Sequence, residues 1–95
     1  MRVRFHPQAS EEVEHAQAWY EERSVLAAAG FLQELSQAIR RIADAPQRYP
    51  TALHGTRRIM LDRFPFSIHY RTSDDEIFVV AVAHQKRRPG YWAGR

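Results

Sequence analysis

Side chains that could act on a phosphate group are concentrated in the second half of the chain. Cleaving a phosphodiester without a metal ion requires a general base, a general acid and cations that stabilise the pentavalent phosphorane. The candidates for these roles are Arg58, Arg63, His69, Arg71, His84, Lys86, Arg87, Arg88 and Tyr91. Basic residues beside an aromatic at the end of a sheet are also typical of a binding surface. Residue types alone therefore leave both catalysis and binding open.

The segment from His84 to Trp92 is the densest part of this set. Three consecutive cations, residues 86–88, follow a predicted strand, and Tyr91 and Trp92 come after a Pro-Gly break. At interfaces, cations provide long-range attraction and aromatic side chains provide short-range anchoring. We predict that this segment contacts a partner. The alternative is that the two aromatic side chains fold back over the end of the core.

The spacing of the residues does not indicate a metal site or a cofactor site. The five histidines are scattered, with no i, i+4 pair on a helix and no neighbouring carboxylate cluster. The sequence also lacks a Gly-rich phosphate loop, a Gly-x-Ser-x-Gly motif and zinc-finger spacing. We therefore expect neither a metal nor a cofactor.

The absence of cysteine and of a long apolar segment bears on location. With no cysteine, disulfides and thiolate ligands are excluded, which fits a reducing compartment. The longest apolar run, residues 77–83, is far too short to cross a bilayer. We expect a cytoplasmic protein without a membrane anchor.

Charge is distributed unevenly along the chain. The formal net charge is +3, but residues 1–48 carry six Arg against seven acidic residues, whereas residues 49–95 carry eight basic residues against four acidic ones. Such asymmetry favours an anionic partner, either a nucleic acid or an acidic protein segment.

The elements that must position these side chains can be read from periodicity. Ninety-five residues predict one domain, residues 1–95. Alternation predicts a first strand, an apolar stripe at helical spacing predicts two helices that form an antiparallel hairpin, and period-two patterns predict three further strands. The predicted bounds are 2–6, 7–23, 24–45, 57–62, 66–72 and 76–84. The predicted fold class is α+β, with an N-terminal strand, a two-helix hairpin and a three-stranded antiparallel sheet.

The last predicted strand is apolar on both faces, unlike the strand before it. Such a strand is either central and covered twice, or covered once and available to a partner. We predict the second arrangement, with an open face formed by Ile77, Val79, Ala81 and Ala83. The free protein is then expected to self-associate, for example as a homodimer.

The order of several short motifs resembles that of the ParE/RelE toxin superfamily of bacterial toxin-antitoxin systems. These motifs are Phe5-His6-Pro7, residues 19–23 (WYEER), Tyr49-Pro50, residues 57–61 (RRIML), residues 63–71 (RFPFSIHYR), and residues 82–85 (VAHQ) leading into residues 87–92 (RRPGYW). The resemblance spans almost the whole chain. It implies a small toxin held inactive by a cognate antitoxin encoded beside it.

The resemblance also implies a choice between two activities. RelE-like members cleave mRNA on the ribosome, whereas ParE-like members poison DNA gyrase without being nucleases. Where the ribonuclease branch has arginines, this sequence has Ser67 and Gln85, and Lys86 is its only lysine. Losing phosphate-stabilising cations should cost several kcal/mol of transition-state stabilisation. We therefore favour the ParE-like, non-enzymatic function, with no catalytic residues.

Two alternatives stay open. One is a ribosome-dependent mRNA endonuclease that acts on ribosome and mRNA through His69, Arg71, His84 and Tyr91. The other is a relic that binds its antitoxin and is not toxic.

Partner-contacting residues follow from the tail, the open strand face and the resemblance. The predicted contacts with the target, which the resemblance implies is DNA gyrase, are Arg58, Arg63, Lys86, Arg87, Arg88, Tyr91 and Trp92. The predicted contacts with the antitoxin are Trp19, Arg71, Ile77, Val79, Ala81 and Ala83.

Overall fold

Two helices follow the first strand and three strands follow the helices in the computed structural model, which describes residues 1–95. The elements are β1 (Arg2–Phe5), α1 (Pro7–Glu21), α2 (Val25–Asp44), β2 (Arg57–Met60), β3 (Phe66–Ser73) and β4 (Glu76–His84). A short 3-10 turn, Leu53–Gly55, precedes β2. The predicted α+β class and order of elements are confirmed, and no bound differs from the predicted one by more than two residues.

The first strand joins the same sheet as the other three. The strand order is β1-β4-β3-β2, and β1 runs parallel to β4, with Val3 opposite Ile77 and Phe5 opposite Val79. The predicted three-stranded sheet is therefore a four-stranded mixed sheet. A parallel pair needs a long crossover, which the helical hairpin between β1 and the later strands supplies. Local alternation could not show which strand β1 would join.

Capping side chains begin both helices. The His6 Nδ1 accepts a 3.0 Å hydrogen bond from the Gln8 N–H, and Pro7 occupies the first helical position. The Ser24 Oγ accepts a 3.1 Å hydrogen bond from the Ala27 N–H, which caps the start of α2. Neither helix is long and apolar enough to cross a membrane.

The main core lies between the helices and one face of the sheet. Helix α1 contributes one apolar stripe, with Ala9 and Ala16 buried and Val13 and Tyr20 packed against the core. Strand β3 contributes Phe66, Ile68 and Tyr70, alternate residues that are all buried. Aromatic rings from different parts of the chain pack together here. The Tyr20 and Phe64 centroids are 5.1 Å apart, and those of Phe31 and Phe66 are 5.3 Å apart.

Strand β4 is central and covered on both faces, so the prediction of an open face was wrong. Ile77, Val79 and Ala81 have no exposed surface, and Ala83 is 6% exposed. Ile77 and Val79 lie in the main core, whereas Ala81 belongs to a second cluster with Val80 and Trp92.

Two non-local features explain this outcome. A β-bulge shifts the β3–β4 register between His69 and Tyr70, so the four residues do not share one face. The C-terminal tail, defined here as residues 85–95, then folds back through successive turns and places Trp92 over the bulge. The predicted self-association depended on an open β4 face, and the structure has no such face.

Candidate functional site

One carboxylate on the first helix holds the C-terminal tail in place. The Glu12 Oε1 accepts a 2.9 Å hydrogen bond from the Val82 N–H. Its Oε2 accepts hydrogen bonds from the Tyr91 hydroxyl at 2.6 Å and from the Arg95 guanidinium at 3.0 Å. Arg87 lies 3.7 Å from the same oxygen. Burial and the neighbouring Glu12 raise the pKa of Tyr91, which keeps its phenol protonated.

Arg71 fastens the other end of the tail. Its guanidinium donates 3.0 Å hydrogen bonds to the main-chain oxygens of His54 and Arg95. Arg95 in turn donates a 3.2 Å hydrogen bond to the Val80 carbonyl, at the bulge. Arg71 is half-buried and bound to main-chain oxygens, so its role in this structure is to hold the tail in place.

Trp92 is buried, which differs from its predicted role as a target contact. It is 2% exposed, and its ring packs against His69 with a centroid separation of 4.7 Å and against the edge of His54 at 5.6 Å. Tyr91 is half-buried through its hydrogen bond to Glu12. In the free chain these two aromatic side chains fold back over the core, as the alternative describes. Burying an indole in this way removes a large apolar surface from water.

Beneath the tail lies a cationic cavity of about 140 Å³, here called the far-face cavity. Its lining includes Arg58, Ser67, His69, Arg87 and Arg88, and it includes no Asp or Glu. Arg58 stands directly opposite His69 in the β2–β3 register. Burial, reinforced by the charge of Arg58, lowers the pKa of His69 to about 4, so its imidazole is neutral near pH 7.

Three of the four residues of the alternative catalytic set line this cavity. His69, His84 and Tyr91 do so, whereas Arg71 does not. The His84 Nδ1 accepts a 3.1 Å hydrogen bond from the Lys86 N–H. Ser67 and Gln85, the two positions that depart from the ribonuclease branch, line the same cavity. No group of three or more His, Asp or Glu side chains is placed to hold a metal ion.

The other predicted target contacts are separated from the cavity. Arg63 lies in the β2–β3 loop, where its Nε donates a 3.3 Å hydrogen bond to the Glu34 carboxylate. Glu34 also accepts hydrogen bonds from the Asp62 and Arg63 N–H groups, which fixes the loop against α2. Lys86 is exposed and forms no ion pair. The structure therefore brings together Arg58, Arg87, Arg88, Tyr91 and Trp92, and leaves Arg63 and Lys86 outside.

A second concave surface runs between α1 and the edge of β4, here called the α1–β4 groove. Its volume is about 410 Å³, and Trp19, Tyr20, Phe66, Val82 and His84 are among its lining residues. Strand β1 ends opposite Val79, so no strand pairs with this edge of β4 beyond that point. Trp19 is 52% exposed, and the predicted antitoxin contact is therefore an accessible aromatic side chain.

Sequence reasoning missed the carboxylates that organise both ends of the sheet. Glu12 follows Ala9 by three residues and precedes Ala16 by four, so it lies on the apolar stripe of α1. Glu34 stands in the same relation to Phe31 and Ala38 on α2. A carboxylate on an apolar stripe is the signal that could have found them, because a buried charge requires partners.

Comparison with known proteins identifies the family. The family model for the ParE toxin of the type II toxin-antitoxin system, parDE, matches residues 3–89. The chain belongs to the ParE toxin family. The resemblance seen in the motifs is thereby confirmed, including its ParE-like branch.

A solved structure supports the ParE-family assignment at the level of fold. It is described as the chromosomal ParDE TA system from P. aeruginosa, and it superimposes on this chain with a TM-score of 0.74 at 18% sequence identity. The match covers 88% of this chain and 95% of the other. A search of curated proteins finds no significant match.

Proposed function

We propose that this ParE-family toxin acts by binding DNA gyrase or a related topoisomerase in the cytoplasm, and that a cognate antitoxin neutralises it. Membership of a toxin family of type II toxin-antitoxin systems supports the toxin-antitoxin part of the proposal. The choice of gyrase as target follows from the resemblance to the ParE-like branch. The contacts and the pKa of the residues that ribonuclease activity would need support this choice of target.

The observation that carries the proposal is that two of these residues, Tyr91 and Arg71, are held by contacts within the fold. The Tyr91 hydroxyl is bound to Glu12, and the Arg71 guanidinium is bound to two main-chain oxygens. A general base works best with a pKa near the working pH, whereas burial lowers the pKa of His69 to about 4. The far-face cavity also has Ser67 and Gln85 where the ribonuclease branch has arginines.

The accessible cations beside the tail are the proposed target contacts. Arg58 and Arg88 are exposed and form no ion pair within the chain, so their charges are available to an acidic or nucleic-acid surface. Trp92 is buried and Tyr91 is tied to Glu12, so we assign these two the role of holding the cations in position.

The α1–β4 groove is the proposed antitoxin surface. Trp19 is the one predicted antitoxin contact that is exposed, and it lies beside the unpaired edge of β4. Arg71, Ile77, Val79, Ala81 and Ala83 are half-buried or buried in the free chain, and we no longer assign them to direct antitoxin contact.

Induction in cells tests the proposal. The chain is expressed with and without the product of its neighbouring reading frame, while growth, plasmid supercoiling and mRNA 5′ ends are measured. We expect growth arrest with altered plasmid supercoiling, no new mRNA ends, and recovery when the neighbouring product is present. New mRNA cuts would establish the endonuclease alternative, and normal growth would establish the non-toxic relic.

A matched pair of variants separates target contact from general charge. The double variant Arg58→Ala, Arg88→Ala should lose most of the growth arrest, because it removes the two unpaired cations that line the far-face cavity. The double variant Arg40→Ala, Arg41→Ala removes the same charge from exposed positions on α2 and should stay toxic. Equal toxicity of the two variants would contradict the assignment of target contacts.

A further inference from the structure

The far-face cavity contains more positive charge than the chain itself balances. Arg58, Arg87 and Arg88 line it, and no carboxylate does. Arg87 has a partial partner in Glu12 at 3.7 Å, whereas Arg58 and Arg88 form no ion pair and no side-chain hydrogen bond. Guanidinium groups gathered around a concave surface without acids favour an anion.

A buried polar group without a partner lines the same cavity. His69 is 8% exposed, and its Nδ1 is buried with no hydrogen-bond partner. No side-chain hydrogen bond of the chain involves the other ring nitrogen. Buried polar atoms in folded proteins nearly always have partners, so an exception calls for an explanation. Ser67, also 8% exposed, adds a hydroxyl that makes no side-chain hydrogen bond.

We infer that the far-face cavity binds a phosphate group, with Arg58 and Arg88 as its cationic clamp and with Ser67 and the His69 ring on its floor. Guanidinium groups bind phosphate oxygens in pairs of parallel hydrogen bonds. A volume of about 140 Å³ is ample for one phosphate group, since a water molecule takes about 30 Å³ of the liquid.

Phosphate suits the cavity better than a carboxylate does. The lining offers donors from β2, from β3 and from the tail, so they approach from several directions. A phosphate group presents oxygens in as many directions and carries more charge than a carboxylate. The phosphate can be free or part of a nucleic-acid backbone. Arg58 and Arg88 are also the proposed target contacts, but phosphate binding requires neither gyrase nor an antitoxin and is measured without them.

Direct binding by the 95-residue chain provides the test. Substituting Trp19→Phe leaves Trp92 as the only tryptophan, and Trp92 packs on His69. Inorganic phosphate is titrated at constant ionic strength while Trp92 fluorescence and the His69 ring signals in NMR spectra are followed. We expect saturation in the millimolar range and a rise in the pKa of His69, because a bound anion favours the imidazolium form.

Three variants in this background decide between a built site and general attraction. Arg58→Ala and Arg88→Ala should each weaken phosphate binding by about tenfold, as expected for the loss of a charge-assisted hydrogen bond. Arg40→Ala, which removes an exposed charge from α2, should bind as before. The inference is overturned if phosphate gives no saturable change, or if Arg40→Ala weakens binding as much as Arg58→Ala does.

A second titration, with a short single-stranded oligothymidylate, identifies the source of the phosphate group. Affinity above that for inorganic phosphate, lost in Arg58→Ala and Arg88→Ala, indicates a nucleic-acid backbone. Saturation by inorganic phosphate without oligonucleotide binding indicates a free phosphate. Oligonucleotide binding that both variants leave unchanged contradicts the proposed site.

Discussion

The Tyr91 hydroxyl donates a 2.6 Å hydrogen bond to the Glu12 carboxylate, although the two residues are 79 positions apart. Glu12 also binds the Val82 N–H and the Arg95 guanidinium. A single side chain thus joins the first helix, the central strand and the C-terminal tail. The tail is part of the fold, and its path places Arg87 and Arg88 at the far-face cavity.

Replacing Glu12→Gln should release the tail and lower the free energy of unfolding by about 2 to 3 kcal/mol. The amide keeps the size of the carboxylate but loses its charge-assisted hydrogen bonds to Tyr91 and Arg95. Urea unfolding measures the loss, and quenching of Trp92 by iodide measures the release. Glu14→Gln, at an exposed position of the same helix, is the control and should change neither. If both variants behave alike, Glu12 does not hold the tail.

Acid should destabilise the protein through His69. Its pKa falls from 6.5 to about 4 on folding, because burial and then Arg58 disfavour the imidazolium form. Between these values the unfolded chain binds a proton that the folded chain does not. This contribution is complete above pH 6.5 and is lost progressively as the pH falls to about 4. Between pH 4 and pH 6.5, the free energy of unfolding should depend less steeply on pH in His69→Gln than in the parent. His15→Gln, at an exposed position, should match the parent. An unchanged profile for His69→Gln would contradict the burial of a neutral imidazole.

Two glycine substitutions should have opposite effects. Gly30 lies within α2, and an added Cβ would meet the Phe64 ring at 3.5 Å, an ordinary contact. Gly30→Ala should therefore raise the free energy of unfolding by up to about 1 kcal/mol, the helix propensity gain of alanine. Gly90 has a φ of 76°, and an added Cβ would lie 3.0 Å from the His54 Nε2. Gly90→Ala should destabilise the tail by about 1 to 2 kcal/mol. Thermal unfolding compares the two, and a Gly90→Ala protein as stable as the parent would contradict the close approach of the tail to His54.

Removing the indole of Trp19 should weaken antitoxin binding without altering the fold. Trp19 is 52% exposed, so Trp19→Ala should change the free energy of unfolding by less than about 0.5 kcal/mol. If it anchors the antitoxin in the α1–β4 groove, calorimetry should show an affinity reduced about 30-fold, the scale of an interface hot spot. Leu26→Ala, at an apolar position that is 84% exposed at the start of α2, serves as the control. Equal binding by both variants would place the antitoxin elsewhere.

Local patterns predicted the elements because they are local properties. The Ser24 cap, the stripe of α1 and the alternation of β3 each reflect the chemistry of a few neighbouring residues. The partner of β1 is different, because parallel pairing with β4 joins residues more than 70 positions apart. No period within Arg2–Phe5 encodes that choice.

The candidate site was predicted only in part, for the same reason. Arg58, Arg87 and Arg88 were found because cations in a cluster are visible in the sequence. The covering of β4 was missed because it depends on a bulge and on a long-range contact between Val80 and Trp92. A strand apolar on both faces could equally have indicated a central strand covered twice, which is the arrangement observed.

The most direct test of the proposed function is a DNA supercoiling assay with purified gyrase and the purified chain, run beside a translation reaction that reports mRNA cleavage. We expect the chain to inhibit supercoiling, its antitoxin to restore supercoiling, and ribosome-bound mRNA to stay intact. Uninhibited supercoiling together with cleaved mRNA would contradict the proposed function.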